Sequence, residues 1–348
     1  MSFFEIDPEI SRASTLPSEF YTDPTWFERS LEEVFSRSWQ FACRAEEVDD
    51  LAPATFMAGT LDEPLLLAKS AEGIRCISNV CTHRGKILVE EPCRADVIRC
   101  RYHGRRFGRD GKLLSMPEFE GVEGFPSASD DLAQVPTGEW NGFVFNAIDP
   151  FAPLGDMFEG AEDAVAGFDF EALRFAGARS YFVNAHWALY CENYLEGFHI
   201  PYVHPALNKE LDYSTYTTDL FRYSSVQTGR SSAGTESEAP FAEGIEAVYL
   251  FLFPNTMLNF YPWGVSVNIV LPKGPAETEV RYMTYVSRPD LAGKGAGGDL
   301  DSVELEDQAV VESVQKGVRS RYYDRGRYSP SKETGTHHFH RLIAEFLG

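Results

Sequence analysis

The sequence predicts an α+β protein in which a small all-β domain precedes a larger domain of antiparallel strands covered by helices. Three observations lead there. The chain has 348 residues, more than one ordinary domain needs. From Phe41 to about Pro150, short alternating runs (Leu65 to Ala68, Ile74 to Ile77, Val97 to Arg101, Gly142 to Ala147) are separated by Gly, Pro and Asp, as in a compact β domain. Beyond Pro150, helical patterns (about Asp156 to Gly167, His186 to Gly197, Val303 to Tyr323, Gly335 to Phe346) mix with strand patterns (Ala247 to Leu252, Thr256 to Tyr261, Ser266 to Leu271, Glu277 to Ser287). The expected division is a helical segment over 1–40 packing on the last domain, a β domain over 41–150 and an α+β domain over 151–348.

Taken in order, Thr22-Asp23-Pro24 is a helix start, and Trp26, Phe27, Leu31, Val34, Phe35 and Trp39 follow at helical spacing. A helix from Pro24 to Trp39 is expected. Asp110-Gly111, between Arg106-Phe107 and Lys112-Leu113-Leu114, predicts a tight hairpin, because glycine supplies the positive φ such turns need. Gln227 to Gly244 and Ala292 to Leu300 are polar or Gly-rich and read as mobile surface loops. The aromatic run Tyr249, Phe251, Phe253, Phe260, Tyr261 and Trp263 has strand spacing, which favours core over cavity lining. His337, His338 and His340 are expected at the surface of the last helix, with Phe339 buried.

Composition narrows the function. The 31 Lys and Arg against 53 Asp and Glu give a net charge of -22, a field that repels polyanions, so nucleic acid is not an expected partner. The most apolar stretch, Ala247 to Phe253, stops at Pro254, far short of the roughly 18 residues of a membrane span. The N-terminus, MSFFEIDPEISR, is acidic where a leader is basic, and a cytoplasmic protein is expected. Cys43, Cys76, Cys81, Cys93, Cys100 and Cys191 are irregularly spaced, unlike a disulfide framework, and direct attention to metal.

Cys81-Thr82-His83 and Cys100-Arg101-Tyr102-His103 form a Cys-x-His and a Cys-x-x-His pair, each with glycine close behind (Gly85, Gly104). Two thiolates and two imidazoles suit a [2Fe-2S] cluster in which one iron takes both cysteines and the other both histidines. Zinc uses the same ligand types, but its sites open with two closely spaced cysteines, which a Cys-x-His spacing does not supply. The motif resembles the Rieske motif in residue type, order, spacing and glycines. Rieske proteins of respiratory complexes carry two further cysteines in these loops. Lys86 and Tyr102 stand there instead, so the chain resembles the oxygenase branch, and Cys76 and Cys93 read as buried small residues.

Downstream, Glu192-Asn193-Tyr194-Leu195-Glu196-Gly197-Phe198-His199-Ile200-Pro201-Tyr202-Val203-His204 concentrates carboxylates and histidines in an aromatic frame. Glu196 and His199 share a helical face at i and i+3. His199 and His204 lie about 140° apart on an ideal helix, and converge only if the helix breaks, which Pro201 provides. Two imidazoles and a carboxylate with open positions are the facial triad of non-haem Fe(II).

The two sites in this order resemble the catalytic subunit of Rieske non-haem iron oxygenases, from about Trp39 to the C-terminus, and CENYLEGFHIPYVHPAL is most similar to the choline and carnitine monooxygenase group. That resemblance implies a Rieske [2Fe-2S] cluster on Cys81, His83, Cys100 and His103, and a mononuclear Fe(II) on His199, His204 and a distant carboxylate. Asp307 fits best, on a helical face shared with Val310, Val311 and Val314 in an apolar stripe that includes Val303 and Val318. Glu304, Glu306 and Glu312 are rivals that read as solvated carboxylates. It implies O2 as co-substrate, a small organic substrate that is hydroxylated or oxidatively dealkylated, and a homotrimer in which Glu196 links His103 of one copy to His199 of the next. The resemblance also implies that electrons come from a separate NAD(P)H-dependent reductase or ferredoxin. The substrate expectation is a small quaternary or tertiary amine; the rival is an aromatic or heterocyclic acid held by Arg222 or Arg281. A non-catalytic Rieske electron carrier needs only the size of residues 41–150 and has no use for His199, His204 and Asp307. The chain departs from the commonest pattern in two places. Glu196 replaces Asp at the bridge, and Arg105-Arg106 replaces a Trp on the side where an electron donor docks.

Overall fold

The computed structural model describes residues 4–204, 215–230, 240–242, 244–293 and 300–348. It forms two compact units, one of residues 36–154 and one of residues 1–35 with 155–348.

In the first unit, β1 (Gln40–Arg44), β2 (Leu51–Phe56), β3 (Glu63–Ser70), β4 (Gly73–Ser78), β5 (Ile98–Arg99), β6 (Arg106–Phe107), β7 (Leu113–Ser115), β8 (Gln134–Val135), β9 (Thr137–Trp140) and β10 (Phe143–Asn146) build three small sheets. Their orders are β1-β10-β9, β2-β3-β4-β8 and β5-β6-β7. Alternation places Leu66, Ala68 and Ile77 inward, where they join Leu88, Ile98, Phe107 and Leu132 in an apolar cluster. Cys81 and Cys100 belong to that cluster.

In the second unit, α1 (Pro24–Ser30) starts at Asp23, whose side chain accepts from Thr25 N. A π turn, Leu31–Phe35, ends it before Trp39, so the expected helix to Trp39 is shorter than its apolar spacing suggests. The region read as one helix from Asp156 to Gly167 is a 3₁₀ turn, Leu154–Phe158, and a short α2 (Ala161–Ala164), interrupted at Gly160. A seven-stranded antiparallel sheet follows, made of β11 (Arg174–Val183), β12 (Thr217–Leu220), β13 (Ser224–Arg230), β14 (Ile245–Leu252), β15 (Thr256–Tyr261), β16 (Gly264–Gly274) and β17 (Glu277–Val286). β12 to β17 form a meander, and β11 adds to its far edge beside β17. β15 is buried at every position, so its two faces are both covered, polar Thr256 and Asn259 included. α3 (Trp187–Tyr194) packs on β16 and on α5 (Leu300–Gly317); α4 (Ile200–Val203) and α6 (Thr334–Leu347) complete the helices. Among the described residues, no helix is long and apolar enough to cross a membrane.

Several local expectations change. Gln227 to Arg230 are not a surface loop but the end of β13, with Gln227 buried; residues 231–239, 243 and 294–299 lie outside the described set. His337 and His340 are buried rather than at the surface. His340 is held at 2.5 Å from Tyr328 Oη, and its Nε2 lies 3.1 Å from Glu192, a residue of α3 that also accepts from Tyr21 Oη at 2.7 Å. Cys93 is exposed, whereas Cys76 is buried as expected. Asp110-Gly111 does sit in a hairpin between β6 and β7, closed by Gly108 N donating to Lys112 O.

Candidate metal centres

The two cysteine loops are the same backbone turn. Cys81 N donates to Lys86 O and Gly85 N to Cys81 O; in the second loop Cys100 N donates to Arg105 O and Gly104 N to Cys100 O. Gly85 and Gly104 close these turns at φ +69° and +79°, a region that L side chains disfavour, which explains a glycine at the fourth position after each cysteine. The cysteines are buried and their thiols meet, while His103 is exposed and His83 half-buried. The two imidazole rings stand 4.8 Å apart between centroids. Tyr102, at one of the positions where respiratory Rieske proteins carry cysteine, stacks on His103 at 3.7 Å. Soft thiolates inward and imidazoles outward fit a [2Fe-2S] cluster with one edge open to a partner. Arg105 is buried and paired with Asp130, so only Arg106 of the Arg-Arg pair is available to an electron donor. Asp130 spans both loops, because its carbonyl also accepts from Thr82 Oγ1 at 2.7 Å.

The second centre begins where α3 ends. Glu196 lies beyond the helix, not on it: its Oε2 accepts from the backbone N–H of Phe198 and of His199 and so builds the turn that presents His199. Pro201 does not break a helix here. It occupies the first turn of α4, where proline is tolerated, and His199 and His204 flank that single turn at its two ends. Their Nε2 atoms converge on Asp307 of α5, which lies 3.5 Å from His199 Nε2 and 2.9 Å from His204 Nε2. His199, His204 and Asp307 each offer a ligand atom within 4.8 Å of the others. Behind them, His199 Nδ1–H donates to Glu196 at 2.7 Å and His204 Nδ1–H to Glu306 at 2.7 Å. These carboxylates fix the tautomer that leaves both Nε2 lone pairs free for a metal. The donor set fits a mononuclear iron of the two-histidine, one-carboxylate kind.

The rivals of Asp307 occupy other places. Glu306 faces the outer nitrogen of His204, and Glu312 accepts from Asn184. Glu304 is not solvated; it is 1% exposed and accepts from both Tyr190 and Tyr282. Burial pushes its carboxyl up to about 7, against the lowering effect of the two phenols. The buried face of α5 therefore runs through Glu304, Val311 and Gln315 to Val318 just beyond its end, and Val314 is 42% exposed, contrary to the apolar stripe read from the sequence.

A cavity of about 100 Å³ adjoins the three donors. Six tyrosines (Tyr190, Tyr194, Tyr216, Tyr249, Tyr261, Tyr282) line it with Asn193, Gln227, Asn259 and Asn268. Tyr249 and Tyr261 are thus wall, while Phe251, Phe253 and Phe260 of the same aromatic run are core. Burial holds all six phenols above their ordinary pKa, so they stay neutral. Asn193, missed in the sequence, donates to Asp307 at 2.6 Å. Its place next to Glu192, on the helix leading to the histidines, was the one available signal. Arg222 pairs with Glu345 and Arg281 with Glu279, and neither lines the cavity, which removes both as carboxylate anchors.

Comparison with known proteins accords with this geometry. Residues 38–126 match the Rieske [2Fe-2S] domain, and residues 170–348 match the catalytic domain of the ring hydroxylating alpha subunit. The chloroplastic choline monooxygenase of Arabidopsis thaliana is 32% identical, over 97% of this chain and 85% of its own. The carnitine monooxygenase oxygenase subunit of Escherichia coli strain K12 is 31% identical, over 96% and 94%. Among solved structures, the quaternary ammonium Rieske monooxygenase CntA in complex with L-carnitine superposes with a TM-score of 0.77 at 26% identity, covering 98% of this chain and 97% of that one. Naphthalene 1,2-dioxygenase from Rhodococcus sp., at 16% identity and a TM-score of 0.74 over 96% of this chain and 94% of its own, shares the fold. With both domain families matched and relatives that span nearly its whole length, the chain belongs to the Rieske non-haem iron oxygenases, oxidoreductases that pair a [2Fe-2S] cluster with a mononuclear iron.

Proposed function

We propose that this oxygenase oxidises a small quaternary amine at a carbon next to nitrogen, and that it works as a homotrimer fed by a separate reductase or ferredoxin. The observation that carries the substrate is the cavity wall: six neutral tyrosines around about 100 Å³, beside the carboxylates of Glu196 and Asp307. Aromatic faces attract a cation that cannot itself donate hydrogen bonds, and the volume is well below the roughly 300 Å³ at which pockets for drug-sized ligands begin.

In this reading residues 41–150 are the electron-carrying domain, with Cys81, His83, Cys100 and His103 as cluster ligands; residues 151–348, with the segment 1–40, are the catalytic domain. His199, His204 and Asp307 hold the iron. Bound, the cluster supplies electrons singly and the iron supplies the site of O2 reduction. The chain's own residues do the rest. Glu196 accepts the Nδ1 proton of His199 and, across the trimer, meets His103 of the neighbouring copy. Glu306 accepts the Nδ1 proton of His204. Asn193 restrains the Asp307 carboxylate. The tyrosine wall orients the substrate and excludes water.

Oxygen uptake with a surrogate reductase tests the reading. Quaternary amines should stimulate it and aromatic acids should not; the reverse pattern overturns the substrate while leaving the oxygenase in place.

A further inference from the structure

Gln227, on β13, is 1% exposed and lines the cavity. Its Nε2 donates to the carbonyl of Tyr194 at 2.8 Å. That bond fixes the orientation of the amide, since the flipped form would set one carbonyl oxygen against another. Gln227 Oε1 is therefore an acceptor of known direction. It is fully buried and meets no donor among the described residues. Buried acceptors are costly unless something pairs them.

The neighbouring amides are already committed through their oxygens. Asn259 Oδ1 accepts from Tyr194 Oη at 2.7 Å, and Asn268 Oδ1 accepts from Ser266 Oγ at 2.7 Å. Among the described lining residues there is no lysine or arginine, so no side-chain cation is there to pair a carboxylate. A carboxylate on the substrate would meet an acceptor oxygen at Gln227. A hydroxyl would place its hydrogen on Gln227 Oε1.

We propose that Gln227 Oε1 is a specificity-determining acceptor that takes the hydroxyl hydrogen of the substrate, so that the substrate is a quaternary ammonium alcohol and not a carboxylate-bearing betaine. This rests on the quaternary amine reading above and narrows it. The same contact makes Gln227 a selector between molecules that share one cationic head, with the tyrosines recognising the head and the amide recognising the tail.

Equilibrium binding to the holoenzyme, measured by calorimetry without turnover, tests it with three probes. These are choline, propyltrimethylammonium (the same shape with a methyl in place of the hydroxyl) and glycine betaine. Choline should bind at least tenfold more tightly than propyltrimethylammonium, and glycine betaine more weakly than both. In Gln227→Met, which keeps the length of the side chain but removes the acceptor, choline should fall to the level of propyltrimethylammonium, whose own binding should hold. Equal binding of choline and propyltrimethylammonium by the parent protein, or tightest binding of the betaine, overturns the inference and leaves the quaternary amine reading standing. If none of the three cations binds, both fall together. The comparison within the parent protein decides the matter even if the variant does not fold.

Discussion

The two metal centres of this chain are built in opposite ways. The cluster loops repeat one turn twice, each closed by its own backbone hydrogen bonds within six residues, with the cysteines set into the apolar core beneath. The proposed iron site draws two histidines from either end of a single helical turn and a carboxylate from a helix more than a hundred residues later, and it is held in shape by side chains: Glu196, Glu306 and Asn193. A centre shaped by backbone tolerates changes in nearby side chains but not in its ligands. One shaped by side chains is graded, because each supporting carboxylate or amide contributes separately.

That contrast can be broken or sharpened by substitution. The largest effect is expected for Cys81→Ala, which should abolish the visible Rieske spectrum altogether while leaving Fe(II) bound at the His199, His204 and Asp307 site, as metal analysis against absorbance will show. Next comes Asp307→Ala, which should weaken iron binding beyond the roughly 100-fold loss seen when supporting residues of metal sites are removed, with the cluster spectrum unchanged. Glu196→Gln should keep both centres yet slow turnover on the order of 100-fold, because an amide cannot accept from two imidazoles as a carboxylate does; single-turnover cluster oxidation in the reduced protein reads this directly. Glu306→Gln removes the partner of one histidine only and should cost about 10-fold in iron affinity. If Glu306→Gln proves as damaging as Asp307→Ala, the ligand has moved by one residue and the contrast between ligand and support fails.

The smallest effect lies away from both centres. Glu279 on β17 pairs with Lys273 at 2.8 Å and accepts from Ser180 of β11 at 2.7 Å and from Arg281 at 3.1 Å. Burial opposes its charge, but these partners, Lys273 foremost, hold its carboxyl down at about 2. Its contribution to stability is therefore complete above the ordinary carboxylate range and disappears as pH falls toward about 2. Glu279→Gln should lower stability by about 1 to 2 kcal/mol near neutral pH, a discounted figure for a partly solvated network, and by much less at pH 3, in chemical denaturation.

The same contrast explains what could be read from the sequence. Both cluster loops were legible because ligand spacing and the closing glycine are local and chemically distinctive. His199 and His204 were legible as a pair, yet the cause of their convergence was misread: Pro201 seats the first turn of α4 and breaks nothing. Glu304 read as a solvated carboxylate because a one-dimensional pattern cannot reveal that the buried face of α5 carries a glutamate and a glutamine, whereas Glu306 is exposed as read. Gln227 was hidden for the opposite reason. Its polar, Gly-rich neighbourhood has the composition of a loop, and only pairing with β14 makes it the wall of a cavity.

One buried cluster has a practical consequence for protein engineering. Glu192, one helical turn ahead of Glu196, is gripped by Tyr21 near one end of the chain and faces His340 near the other, and Arg29 reaches the carbonyl of Leu347 at 2.8 Å. Residues early and late in the sequence thus brace the helix that leads into the iron site. Affinity handles, reporter fusions or surface tethers that load the segments around Tyr21 or His340 would pull on that anchorage. A biosensor or immobilised catalyst made from this protein is better attached at an exposed residue outside this cluster, and not on the loop carrying Phe119, whose ring meets His83 at 5.4 Å.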